Sequence, residues 1–151
     1  MFFNRKKEVV FAAVSGELIK IEDVNDPVFS SKAMGAGFGI EPEEAAVYSP
    51  INGKVVSVFP TKHAILLETK KGQPVLVHIG IDTVELNGQG IEVHVDSGQT
   101  ISEQTLLATV DLPFILEQGK QTTVIIAFEN REAIELTNAV GVNVHDNLGI
   151  L

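Results

Sequence analysis

Ala64-Ile65-Leu66-Leu67-Glu68-Thr69-Lys70-Lys71-Gly72-Gln73-Pro74-Val75-Leu76-Val77-His78-Ile79 is the stretch whose reading decides the fold. Two β-type runs, Ala64–Glu68 and Pro74–Ile79, flank a polar turn with a glycine, which is the pattern of an antiparallel hairpin. Working outward, similar short runs recur between Gly, Asn, Asp and Pro. They are Val9–Val14, Glu17–Ile21, Phe38–Ile40, Ala45–Tyr48, Lys54–Phe59, Ile91–Val95, Leu106–Val110, Thr122–Phe128 and Val140–Val144. Many strands of this length with turn signals between them predict an all-β, antiparallel sandwich or barrel. Helical periodicity is poor; Phe114–Lys120 and Asn130–Leu136 are predicted as short helices, and Asp26–Met34 as a helical turn or two.

The composition agrees. The chain has 151 residues, 44% of them hydrophobic and 21% charged, enough for one domain with its own core. No apolar run approaches the roughly 20 residues of a membrane-spanning helix, and the first residues lack the apolar segment of a signal peptide. A cytoplasmic location is therefore expected. With no cysteine, there is no disulfide, thiolate metal site or Cys nucleophile. A formal charge of −9 argues against nucleic acid and suits docking with a basic partner protein.

Residues 1–8 read as a flexible basic tip, too short for a stable amphipathic helix on a membrane, and 9–151 as a single domain without a linker. A weak internal echo runs through it. Ser15-Gly16-Glu17-Leu18-Ile19-Lys20-Ile21 and Asn52-Gly53-Lys54-Val55-Val56-Ser57-Val58 share a glycine turn followed by an alternating strand, thirty-seven residues apart. A repeated supersecondary unit would produce such an echo, as would the frequency of Gly-then-strand in any sandwich.

Of the four histidines, His94 lies on the polar phase of a strand and His145 in a loop beside Asp146. His63 and His78 differ. They flank the hairpin turn fifteen residues apart, so antiparallel pairing brings both to the same end of the sheet. A bulge would change the face to which either points, so parity alone does not place the rings in contact. Such a pair can bind a metal, work as acid and base, or accept a phosphoryl group on one ring. The last use needs a neutral nitrogen, with the tautomer fixed through the other nitrogen. The backbone carbonyl of Gly80 can do this for His78, and the Thr61 hydroxyl stands two residues from His63.

Thr61-Lys62-His63-Ala64, Val77-His78-Ile79-Gly80-Ile81-Asp82-Thr83-Val84-Glu85-Leu86, Gly16–Val24 and Asp26–Gly37 closely resemble the glucose-type IIA component of the bacterial sugar phosphotransferase system. The likeness runs from about Val14 to Phe128, is looser after Glu129, and lacks an expected glycine in Ile101–Leu106. The resemblance implies a duplicated barrel-sandwich hybrid, in keeping with the echo. It implies that His78 takes a phosphoryl group on Nε2 (the tele nitrogen) from phospho-HPr and passes it to the cysteine of a IIB domain of a sugar permease. His63 would serve onward transfer, oriented by Thr61. Gly80 would hold His78, and Asp82 would adjust charge at the rim. Val28, Phe29, Phe59 and Val84 would form an apolar docking face, one that regulatory target proteins could also read by phosphorylation state. The family often has a longer N-terminal segment, and nothing here resembles a IIB or IIC segment. A separate IIA subunit is therefore expected, meeting the membrane only through the permease.

Two rivals fare worse. His78-x-x-x-Asp82 matches half of the ligand set of a zinc endopeptidase family of similar fold, but no histidine has another two residues away. A hydrolytic zinc normally needs three protein ligands. No cofactor is required by the phosphocarrier reading, although His63 and His78 could hold zinc at an interface where a partner adds a carboxylate. A biotinyl or lipoyl carrier needs a lysine at a hairpin tip with particular neighbours. Lys70-Lys71-Gly72 lacks them, and the other tip, Gly98-Gln99-Thr100-Ile101, has no lysine.

Overall fold

The computed structural model describes residues 7–151, so most of the expected basic tip lies outside the described residues. Fourteen strands form among them. They are β1 (Val9–Phe11), β2 (Gly16–Lys20), β3 (Ala36–Pro42), β4 (Ala46–Tyr48), β5 (Gly53–Val58), β6 (Ala64–Thr69) and β7 (Pro74–Ile81), then β8 (Ile91–Val93), β9 (Thr100–Ile101), β10 (Leu106–Val110), β11 (Gln121–Phe128), β12 (Glu135–Leu136), β13 (Gly141–Val142) and β14 (Asn147–Ile150). Every pairing is antiparallel. An eight-stranded sheet packs with two three-stranded sheets, β1-β14-β12 and β4-β10-β8, in the expected antiparallel sandwich.

The large sheet runs β13-β2-β3-β11-β7-β6-β5-β9, and this order has the same character read from either end. A two-residue edge strand is followed by a glycine-opened strand, its antiparallel partner and a central strand. The sequence echo sits at matching places in the two halves. A Cβ on Gly16 would fall 2.0 Å from the Glu41 carbonyl oxygen, and one on Gly53 would fall 1.9 Å from that of Glu68. Both strands therefore open where the partner backbone comes too close for any side chain, which gives the echo a physical cause.

Alternation decides which residues face which way. Ile65 and Leu67 of β6, Val75, Val77 and Ile79 of β7, and Val124 and Ile126 of β11 point into the main core. On the opposite face Ile125 and Ala127 form a second cluster with Ile21, Val24, Phe29 and Ile81. That outer cluster is roofed by a short 3-10 helix, Ile21–Asp23, and by α1 (Pro27–Ser30). Four residues cannot hold a helix by propensity. The Asp26 carboxylate accepts from the Val28 amide at 3.0 Å, worth about 1 kcal/mol, and burial of Phe29 adds about 1.5–3 kcal/mol.

Two expectations change. Asn130–Leu136 is not helical. Asn130 adopts a left-handed turn (φ 62°), after which Glu135 and Leu136 pair with Ile150 and Gly149. Ile134 and Leu136, two residues apart, both pack on the main core, a strand spacing rather than a helical one. The helix expected at Phe114–Lys120 is instead α2 (Leu112–Glu117), because the Asp111 carboxylate caps the Phe114 amide at 3.1 Å and Pro113 suits the first turn. Asp111→Ala is expected to cost about 1 kcal/mol, lowering Tm by about 3 °C in a thermal melt.

Candidate functional site

His78 stands on the outer face of the large sheet, on β7, opposite Ala64 of β6 and Ile125 of β11. His63 immediately precedes β6, and its carbonyl accepts from the Ile79 amide at 2.7 Å. By simple alternation its ring would lie on the face opposite to His78. The loop ending β5 prevents this: Lys62 is left-handed (φ 61°) and its amide closes a turn onto the Phe59 carbonyl at 2.7 Å. The His63 ring consequently meets His78 edge-on, with centroids 5.1 Å apart and planes at 81°.

Each ring has one nitrogen engaged. His78 Nδ1 is 2.8 Å from the Gly80 carbonyl oxygen. A carbonyl only accepts, so Nδ1 carries the proton and Nε2 keeps its lone pair. His63 Nδ1 is 2.6 Å from the Thr61 hydroxyl. If the hydroxyl donates, the neutral ring carries its own proton on Nε2. Phe29 supports the His78 ring at 4.9 Å between centroids, and Phe59 approaches His63 edge-on at 5.6 Å.

Gly80 can offer its carbonyl because β11 bulges opposite it and interrupts the ladder there. Ile81 pairs with Gln121 and Ile79 with Val124, so two residues of β11 oppose the single Gly80. The parity of β7 flips in consequence: Ile79 belongs to the main core and Ile81 to the outer cluster. Gly80 is left-handed (φ 77°), which turns its carbonyl out of the ladder toward the imidazole two residues back.

Burial pushes the His63 pKa below its ordinary value. For His78, burial and then the charge on His63 lower it from 6.5 to about 4, while the Gly80 carbonyl and the Asp26 and Asp82 carboxylates act in the opposite direction. His78 is therefore neutral at physiological pH, as a nucleophile requires. Its folded-state pKa lies below the unfolded value, so between them the unfolded chain binds more protons and stability rises with pH. Stability should fall as the pH drops from about 6.5 to about 4 and then gain no further slope from this group. Urea midpoints across that range check this, and His78→Gln should flatten most of the slope.

The rings line a cleft of about 570 Å³. Val28, Met34, Phe59, Leu66 and Leu76 supply its apolar wall, and Asp26 stands at its edge. Val28, Phe59 and Val84 are exposed, Val84 outside the cleft on a 3-10 helix, Thr83–Leu86. Phe29, expected on the docking surface, is only 4% exposed, so its contact is with His78 rather than with solvent. Asp82 is exposed and left-handed (φ 61°) at the start of the 3-10 helix. Met34, Leu66 and Leu76 escaped sequence reasoning; the last two are the outward residues of β6 and β7, which alternation could have supplied. His94 bonds Thr109 at 2.8 Å, and His145 packs edge-on against Tyr48. Among the described residues no group of three or more His, Cys, Asp or Glu side chains is placed to hold a metal ion.

A neutral imidazole with one nitrogen committed and the other free beside a second imidazole suits a protein that carries a transferred group. Residues 8–134 match the family model of the phosphoenolpyruvate-dependent sugar phosphotransferase system, EIIA 1. The chain belongs to that family, and with it is a phosphotransferase component, a phosphocarrier in sugar uptake. It is 47% identical over 138 residues to the PTS system glucose-specific EIIA component of Staphylococcus epidermidis, covering 88% of this chain and 83% of that one. The component of the same name from Staphylococcus aureus is 43% identical over 154 residues, covering 99% and 90%. The PTS system glucose-specific EIICBA component of Streptococcus pneumoniae is 44% identical over 133 residues, where the match spans 88% of this chain but 18% of that protein. The solved structure of glucose permease IIA from Mycoplasma capricolum superposes with a TM-score of 0.91 at 36% identity, covering 99% of both chains. No helix among the described residues is long and apolar enough to cross a membrane.

Proposed function

We propose that this chain relays a phosphoryl group through His78 Nε2, from phospho-HPr to the cysteine of a IIB domain, in the cytoplasmic uptake of a glucose-type sugar. One observation carries the reading: Nδ1 of His78 is tied to the Gly80 carbonyl at 2.8 Å, leaving Nε2 as its free lone pair beside His63. In acceptance, this lone pair forms a bond to phosphorus as the P–N bond to the HPr histidine breaks, its electron pair returning to that ring. In donation, the IIB thiolate attacks phosphorus and the bond to Nε2 breaks in the same sense. His63, its Nδ1 held by Thr61, presents its Nε2 proton to the phosphoryl oxygens, an aimed donor where charge develops. Phe29 supports the acceptor ring, and exposed Val28, Phe59 and Val84 surround the site as a docking face, with Asp26 and Asp82 as its acidic rim.

The same face can serve regulatory binding, because phosphorylation adds about −1.5 to −2 charge units to an apolar surface and changes which partners it fits. Zinc is a second ligand of suitable chemistry. The two Nε2 atoms would be the donors, His63 first shifting its proton to Nδ1 so that the Thr61 oxygen accepts it, and a partner would have to complete the coordination. Incubation with phosphoenolpyruvate, enzyme I and HPr tests the carrier reading. A gain of about 80 Da that is lost in acid is expected; no gain with active upstream proteins would overturn it.

A further inference from the structure

We propose that Thr83 is a positioning residue for phosphoryl transfer, its hydroxyl and methyl together locking the Ile79–Gly80 peptide so that the Gly80 carbonyl stays on His78 Nδ1. Thr83 is fully buried, and its hydroxyl donates to the Ile79 carbonyl four residues back. Its other branch fills the space beside Gly80: a Cβ on Gly80 would fall 2.4 Å from Thr83 Cγ2 and 3.0 Å from the Gln121 carbonyl oxygen.

The need for such a lock follows from the bulge. A carbonyl within a regular ladder is aimed by its partner strand, whereas Gly80 lies where the β7–β11 register breaks and has the freest backbone of any residue. Left alone, that carbonyl could rotate away and His78 could move its proton to Nε2, removing the lone pair from the transferring nitrogen. Thr83 restrains the preceding peptide through its oxygen and the glycine Cα through its methyl. The 3-10 helix carrying Thr83 is itself anchored by the ion pair of Glu85 with Lys120, at 2.5 Å.

The kinetic consequence rests on the reading of His78 as acceptor, but the tautomer can be measured without it. In the wild-type protein the His78 ring nitrogens should give 15N shifts of a fixed Nδ1–H form at pH 7. Thr83→Val keeps the shape and removes the hydroxyl. It should move those shifts toward the values of exchanging tautomers and slow phosphoryl uptake about tenfold, the lower end of what losing a histidine's outer hydrogen-bond partner costs at a metal site. Thr83→Ser restores the hydroxyl and should return both readouts most of the way.

A folded Thr83→Val protein with wild-type shifts and uptake would overturn the proposal. So would a folded Thr83→Ala protein, which lacks both the hydroxyl and the methyl, that keeps the fixed tautomer, the deciding result if the valine variant does not fold. If the wild type holds the Nδ1–H tautomer yet takes up no phosphoryl group, the carrier reading fails, while the valine shifts still decide the part played by Thr83.

Discussion

His78→Gln is expected to take up no phosphoryl group, whereas His63→Gln should be phosphorylated and then fail to pass the group on. A glutamine amide nitrogen has no available lone pair, so the first change removes the nucleophile and leaves a polar side chain in the half-buried place of the ring. The second outcome depends on charge. Acceptance exchanges a phosphoryl group between two neutral imidazoles, for which His63 need only donate a proton in a hydrogen bond, and a glutamine amide can do the same. Donation brings an anionic thiolate up to a phosphoryl group already bearing about −1.5 to −2 charge units. Burial keeps His63 neutral in the free protein, but that adjacent anion raises its pKa and favours the imidazolium. Glutamine cannot follow. Donation should fall by about 10²–10³-fold, the cost of losing one aimed charge-stabilising group, and acceptance by less than about tenfold. Rapid-quench transfer from phospho-HPr, followed by a chase with a IIB domain, separates the two steps. A His78→Gln protein that gains the full mass increment would remove His78 from the mechanism, and equal losses in both steps for His63→Gln would refute the charge argument.

Much of this site is legible in the sequence, for reasons that differ from residue to residue. The hairpin around Lys70–Gly72 was marked by alternation and turn chemistry, so the two histidines had to fall at one end of the sheet. The contact between their rings was not legible, because it depends on Lys62 taking a left-handed conformation that no local pattern demands of a lysine. Phe29 belonged to the recognisable motif, yet its role as a wall rather than a surface emerges only once the outer cluster closes over it. Thr83 lay in plain view within the histidine motif without a role, since its partners Ile79 and Gly80 become neighbours only through the bulge. Strand β12 was missed because it lies in a stretch read as helical, and β9 and β14 because they are short and sit among the turn residues around Gly98 and Gly149.

Gly80→Ala should be strongly damaging, and its effect should be local in cause and double in consequence. Two penalties coincide. A non-glycine residue in the left-handed region at φ 77° costs about 1–3 kcal/mol. The new methyl would lie 2.4 Å from Thr83 Cγ2 in a place with no slack, adding about 1–3 kcal/mol of overpacking. A total of about 3 kcal/mol corresponds to a Tm lower by about 10 °C in a protein of this size. Gly98→Ala supplies the control: Gly98 is also left-handed (φ 88°), but nothing lies within 4 Å of the added Cβ, so only the conformational penalty applies. The gap between the two melts isolates the overpacking at Thr83. Relief of that clash must move the Gly80 peptide, the Thr83 side chain or both, and each movement disturbs the carbonyl that holds His78 Nδ1. Gly80→Ala should therefore also lose the fixed tautomer and slow phosphoryl uptake below the melting range, where Gly98→Ala should leave both unchanged. Equal melting temperatures for the two variants would show that the bulge relaxes freely, and the rigid aiming of the carbonyl would have to be abandoned.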